Sequence, residues 1–303
     1  LSTPQAIEIN TVTKRYGDFT AVNNLSLEVA KGSIFGLLGP NGAGKTTTIR
    51  MIVSITFPDQ GEIKIFGERL TPKMQERIGY LPEERGLYKK MKVRDQLYFL
   101  GGLKSISQKD LHKKVSHWAE RLQIDSWLDK KTEELSKGMQ QKIQFIATVL
   151  HNPELIILDE PFSGLDPVNA NLLIEVIHEL KSAGSTIILS THVMEQVERL
   201  CDDICLINKS QKVLAGNLKA VKRSFAINKV ALNYEGQSNF LSNNHLVKKC
   251  TNYASHIEVE LAEGANPQEL LRQAIDSGLS INRFELMEPS LNEIFIRKVG
   301  KNE

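Results

Sequence analysis

Ile34-Phe35-Gly36-Leu37-Leu38-Gly39-Pro40-Asn41-Gly42-Ala43-Gly44-Lys45-Thr46-Thr47 decides the fold. An apolar run, Ile34 to Leu38, enters a loop that fills the pattern G-x-x-x-x-G-K-[ST] with Gly39, Gly44, Lys45 and Thr46, and Thr48 to Val53 can continue as a helix. Small residues in such a loop let successive backbone N–H groups turn inward on anionic oxygens. The helix that starts there adds unsatisfied N–H groups and a positive dipole end. Lys45 is expected to reach β- and γ-phosphates, and the Thr46 hydroxyl to ligate Mg²⁺. Alone, this stretch predicts a nucleotide site and nothing narrower.

A second stretch extends the reading. Leu155-Ile156-Ile157-Leu158 is apolar without alternation, as in a strand buried on both faces of a parallel sheet, and it ends in Asp159-Glu160-Pro161. Ligands of open α/β sheets sit at that edge. Asp159 is expected in the shell of Mg²⁺, a hard cation wanting oxygen ligands. Glu160 is expected to polarise the attacking water, a general-base role worth ~10²–10⁴ in rate. Thr186 to Ser190 reads as a further buried strand ending in Thr191-His192, which sets His192 near the γ-phosphate.

Composition is that of an ordinary folded protein, with 41% hydrophobic and 24% charged residues. The 303 residues suggest two domains at about 150 residues each. A net charge of +2 gives no global field for nucleic acid or an anionic membrane. No apolar run approaches the ~18 residues that span a bilayer, and the opening residues carry no signal-peptide pattern. Leu1 in place of methionine is expected to mark a trimmed or artificial start. Cys201, Cys205 and Cys250 do not make a disulfide framework, so a reducing cytosol is expected. Cys201 and Cys205, four apart, can share a helix face as half a metal site, or be ordinary semi-buried thiols.

Along the chain, Ala6 to Tyr16 and Leu25 to Val29 alternate as half-buried antiparallel strands, and Glu62 to Phe66 follows after a turn at 58–61. Ile78 to Glu84 reads as a short strand running into a loop. A helical pattern begins at Val93. Leu111, Val115, Trp118, Ala119 and Leu122 share one helix face, capped by Ser107 with Asp110. Leu135-Ser136-Lys137-Gly138-Met139-Gln140 leads another helix, which Ser136 would N-cap. A helix over 168–181 follows Ser163-Gly164-Leu165-Asp166-Pro167, and Asp203 to Ile207 forms a hairpin with Gln211 to Ala215. Past Lys222 the character changes. Strands at 230–234, 257–261 and 279–286, with helices at 267–277 and 290–299, suit a small α+β domain, and Ser290 with Glu293 makes a capping box.

These motifs, in this order, resemble the ATP-binding-cassette (ABC) ATPases over roughly residues 6 to 220. The resemblance implies an α/β fold: a P-loop NTPase core with a mostly parallel sheet, an antiparallel β subdomain and a helical subdomain, plus a small C-terminal α+β domain. It sets the ATPase domain at 5–222, with its helical subdomain at about 92–150, and an accessory domain at 225–303. In that family the L-S-x-G-x-Q motif completes the site of a second copy in a head-to-tail dimer. Ser136 and Gly138 are then expected to act in trans on ATP held by Gly39, Asn41, Gly42, Ala43, Gly44, Lys45, Thr46 and Thr47, with Gln140 also counted among the ATP-binding residues. Tyr16 becomes the aromatic that stacks on adenine, Asp166 the cross-dimer loop aspartate, and His192 the switch histidine. Glu160, His192 and Lys45 are the catalytic set. Thr46, Asp159 and Glu83 are the metal set, Glu83 standing where the family carries glutamine.

The stretches Leu81-Pro82-Glu83-Glu84-Arg85-Gly86-Leu87-Tyr88 and 288–295 resemble bacterial ATP-binding subunits of sodium-export and drug-export type. The resemblance implies ATP hydrolysis, with ATP and Mg²⁺ as cofactors, powering export through a permease on a separate chain. The protein is expected in the cytoplasm, peripheral at the inner face of the membrane. A rival reading, a soluble ABC ATPase acting on a ribosome or nucleic acid, lacks the second cassette or coiled-coil insertion that such members carry, and no nucleic-acid partner is expected. A non-hydrolysing regulatory module is opposed by Lys45, Asp159 and Glu160.

Overall fold

The computed structural model describes residues 4–69, 71–84, 86–225, 229–236, 240–242 and 245–299. Arg85 of the export-type motif and Leu1 lie outside them. The chain divides into two compact units, Leu1–Leu218 and Lys219–Glu303.

In the first unit, β1 (Gln5–Tyr16), β2 (Phe19–Ala30), β4 (Gln60–Ile65) and β5 (Glu68–Arg69) form an antiparallel sheet in the order β2-β1-β4-β5, while β3 (Ile34–Leu38) departs to a second sheet. Polar Asn23 and Asn24 hid the first half of β2, which is longer than its apolar pattern; bulges opposite β1 absorb them, with Asn24 at φ 51°. The second sheet joins β3 to β6 (Ile78–Leu81), β7 (Leu155–Asp159), β8 (Thr186–Thr191), β9 (Asp203–Asn208) and β10 (Gln211–Asn217), ordered β10-β9-β3-β8-β7-β6. All its pairings are parallel except the β9-β10 hairpin. That hairpin turns through Lys209 and Ser210, both left-handed, as a two-residue turn between twisted strands requires.

Every residue of β3, β7 and β8 is buried, which is why these segments carry no alternation. Helix α1 (Lys45–Ile52) contributes Ile49, Met51 and Ile52 to one core with Phe35 and Leu37 of β3 and with Ile7, Ile9, Leu25 and Ile65 of the antiparallel sheet. The phosphate loop is therefore anchored by both sheets. Between β6 and β7 lie α2 (Val93–Leu103), α3 (Gln108–Arg121) and α4 (Lys137–Val149). Ser107 and Ser136 cap α3 and α4 by accepting from the backbone N–H groups of Asp110 and Met139. After β7 and β8 come α5 (Pro167–Ser182) and α6 (Met194–Leu200).

Helix α7 (Leu218–Ser224) leads into the second unit. There β11 (Lys229–Glu235), β12 (Val247–Asn252), β13 (Ile257–Leu261) and β14 (Ser280–Leu286) make an antiparallel sheet ordered β12-β13-β11-β14. Its core joins Val230, Leu232, Val259 and Leu261 to Leu270 and Ala274 of α8 (Pro267–Asp276). In α9 (Leu291–Val299) the Ser290–Glu293 capping box is formed: Ser290 N–H donates to the Glu293 carboxylate, and Glu293 N–H to Ser290 Oγ. Strand β12 was invisible in the sequence, because its one buried residue, Val247, leaves no alternating pattern.

Candidate nucleotide site

The loop between β3 and α1 is held by close backbone approach. Gly39 has φ 150°, and a Cβ there would lie 2.1 Å from the carbonyl oxygen of Ile207, so only glycine fits. Lys45 is buried, its Nζ donating to the carbonyls of Gly39 at 2.7 Å and Pro40 at 3.2 Å. Burial lowers its pKa, opposed by the carboxylates of Glu160, Asp159 and Glu83.

These groups line one cavity of about 390 Å³, together with Asn41, Gly42, Gly44, Thr46 and Thr47. Thr46 Oγ1 donates to Asp159 Oδ2 at 3.2 Å. Burial, reinforced by Glu83 and Glu160, raises the pKa of Asp159. The two oxygens are of the type that would suit a hard cation. Among the described residues no cluster of three or more His, Cys, Asp or Glu side chains makes a cage of its own.

Glu160 follows β7 in the left-handed region, φ 48°, which is strained for a non-glycine residue. Its carboxylate is fixed from the end of β8. Thr191 Oγ1 donates to Oε2 at 3.0 Å, while the His192 backbone N–H and Nδ1–H donate to Oε1 at 3.1 and 2.6 Å. A carboxylate only accepts, so Nδ1 carries the proton. The pairing of Glu160 with Thr191 was not anticipated; a polar residue closing an apolar strand was its one signal.

Other expected residues lie elsewhere. Tyr16 is half-exposed, with Lys14 Nζ 5.5 Å from its ring; its hairpin partner Phe19 lines the phosphate-loop cavity instead. Ser136, Gly138 and Gln140 do not line that cavity. Gly138 packs so closely that a Cβ would stand 2.6 Å from the Gly164 carbonyl, a reason for glycine within the chain itself. Gln140 Nε2 donates to the carbonyls of Thr132 and Leu135. Asp166 caps α5, accepting from Asn169 N–H. Cys201 and Cys205 share no helix face: the first follows α6, the second lies in β9, and both are buried.

Residues 22–163 match the ABC transporter family model, and residues 216–299 match the C-terminal domain of DrrA1-3-like ATP-binding proteins. An uncharacterised ABC transporter ATP-binding protein of Bacillus subtilis, YhaQ, is 47% identical over 294 residues, covering 97% of this chain and 98% of the relative. This chain belongs to the ABC transporter ATP-binding proteins.

Nod factor export ATP-binding protein I of Rhizobium meliloti is 34% identical to this ABC protein, over 98% of the chain and 88% of the relative. A solved ATP-binding subunit of an ABC transporter superposes with TM-score 0.68 at 30% identity, covering 73% of this chain and 93% of the other. As an ABC ATPase, the protein binds nucleotide and is a transporter subunit; such subunits dimerise and pair with a membrane permease. No helix among the described residues is long and apolar enough to cross a membrane.

Proposed function

We propose that this chain is the ATP-hydrolysing subunit of an exporter, working as a head-to-tail homodimer beneath a permease on a separate chain. Residues 5–222 are the ATPase domain, 92–150 its helical subdomain, and 225–303 an accessory domain. The export direction draws on the Nod factor export relative. One observation carries the site reading: Lys45, Thr46, Asp159, Glu160 and Glu83 converge on one cavity, while Ser136 and Gly138 lie outside it. Ser136 is exposed at the N-terminus of α4, where a second subunit's γ-phosphate would meet its hydroxyl and the Gly138 N–H.

In this reading the loop N–H groups and Lys45 bind the phosphates, and Tyr16 takes the adenine beside Phe19. Thr46, Asp159 and Glu83 hold Mg²⁺, which neutralises phosphate charge. Glu160, oriented by Thr191 and His192, accepts a proton from the attacking water. Asp166 lies at the subunit boundary. The complex works at the cytoplasmic face of the membrane.

Glu160→Gln tests this. The variant is expected to bind ATP, to turn over at about 10⁻² or less of the wild-type rate, and to elute as an ATP-dependent dimer in size-exclusion chromatography. Normal turnover would remove Glu160 as the base, and a monomer under ATP would remove the shared site.

A further inference from the structure

Helix α4 carries two buried glutamines whose side chains bond to the loops that bear Glu160 and Glu83 in its own subunit. Gln141 and Gln144 lie three residues apart, which places them on one side of the helix. They are 2% and 6% exposed. Gln141 Nε2 donates to the carbonyl of Pro161 at 3.0 Å and approaches that of Glu160 at 3.5 Å. Gln144 Nε2 donates to the carbonyls of Pro82 at 3.3 Å and Glu84 at 3.2 Å, on either side of Glu83. One helix therefore grips the backbone at two carboxylates, Glu160 and Glu83, that line the phosphate-loop cavity.

The grip falls on two loop positions that lie past the ends of β7 and β6. Glu160 occupies a strained left-handed conformation that its surroundings must impose. Glu83 lies in the loop after β6, with no strand pairing of its own. Neither glutamine is needed merely to form α4, whose cap is Ser136 and whose core face is Ile143, Phe145, Ile146 and Val149. A buried amide is costly unless bonded, and on each of these two every described bond is to a catalytic loop. Gln144 Oε1 itself is buried with no partner among the described residues, so the side chain is retained at a cost.

We infer that Gln141 and Gln144 are positioning residues through which α4 sets Glu160 and Glu83 in its own subunit. This rests on the shared-site reading, in which Ser136 and Gly138 at the start of α4 grip the partner's nucleotide. That grip then moves the same rigid helix whose next two turns hold the home carboxylates. Nucleotide in one site thus tunes hydrolysis in the other without a contact between the two nucleotides.

The test uses the full chain with Gln141→Met and Gln144→Met, which keep length and remove the donor. ATP affinity, ATP-driven dimerisation in the Glu160→Gln background and melting temperature are measured beside steady-state kinetics. The expected result is ATP affinity within about twofold of wild type, kcat down about 10- to 100-fold, and a Hill coefficient falling to about 1. Gln141→Asn, too short to reach, should behave like the Met variant. A dimer that forms while kcat and Hill coefficient stay unchanged in both variants would overturn the clamp alone. So would a kcat loss accounted for by lost ATP binding or unfolded protein. A monomeric Glu160→Gln chain under ATP would overturn the shared site and the cross-subunit part with it.

Discussion

Acid should destabilise the ATPase unit through one half-buried histidine. His151 lines a groove of about 420 Å³ with Tyr80, Lys104 and Thr148. Its Nε2–H donates to the Ile78 carbonyl at 3.1 Å, an oxygen that also accepts from Lys104 Nζ at 3.3 Å. Its Nδ1 is buried without a partner among the described residues. Burial, then the Lys104 cation, push its pKa from 6.5 down to about 4. Below pH 6.5 the unfolded chain takes up a proton that the folded chain refuses until about pH 4, so stability falls across that window. A sealed site would lose about 3 kcal/mol in total, at about 1.4 kcal/mol per pH unit. Partial water access in the groove reduces this to about 1.5–2 kcal/mol. Urea unfolding followed by tryptophan fluorescence reads the right unit, since both tryptophans, Trp118 and Trp127, belong to it. Between pH 7 and 4.5 the wild type should lose about 1–2 kcal/mol more than His151→Gln, which keeps a donor for Ile78 and cannot charge. Equal losses in the two proteins would refute the reasoning.

Two further outcomes follow from the site and the thiols. Glu83→Gln removes one of three carboxylates from the phosphate cavity and leaves a carbonyl oxygen in its place; Mg²⁺-dependent ATP turnover should hold or rise, and its collapse would show that the charge itself is required. Native protein at pH 8 should show one fast thiol towards an aromatic disulfide reagent, the exposed Cys250, and all three in urea. Burial raises Cys201 and takes Cys205 to about 12, so early labelling of either would contradict their enclosure.

What could be read from the chain without coordinates was what neighbours in sequence build together. The phosphate loop, the unbroken apolar runs of β7 and β8, the Ser107 and Ser136 caps and the Ser290–Glu293 capping box each depend on a few consecutive residues, whose spacing records their structure. Asp159, Glu160 and His192 were placed because strand ends of one parallel sheet share an edge. Strand β12 and the first half of β2 escaped, since exposed strands and bulges carry no periodic signal.

The tertiary structure alone decided which distant groups meet. Phe19 rather than Tyr16 reaches the cavity wall because the hairpin turns between them. Gly138 is required by the carbonyl of Gly164, and Glu160 is fixed by Thr191, 31 residues further on. Nothing in the spacing of Gln141 and Gln144 within α4 marks them as partners of the loops at Pro82 and Pro161. A hydrogen bond between residues far apart in the chain leaves no period in the sequence. The sequence alone determined the phosphate loop and the strand-end carboxylates, which are built by consecutive residues; the meeting of β8 with the end of β7, and of α4 with the loops at Pro82 and Pro161, was decided by packing between distant segments.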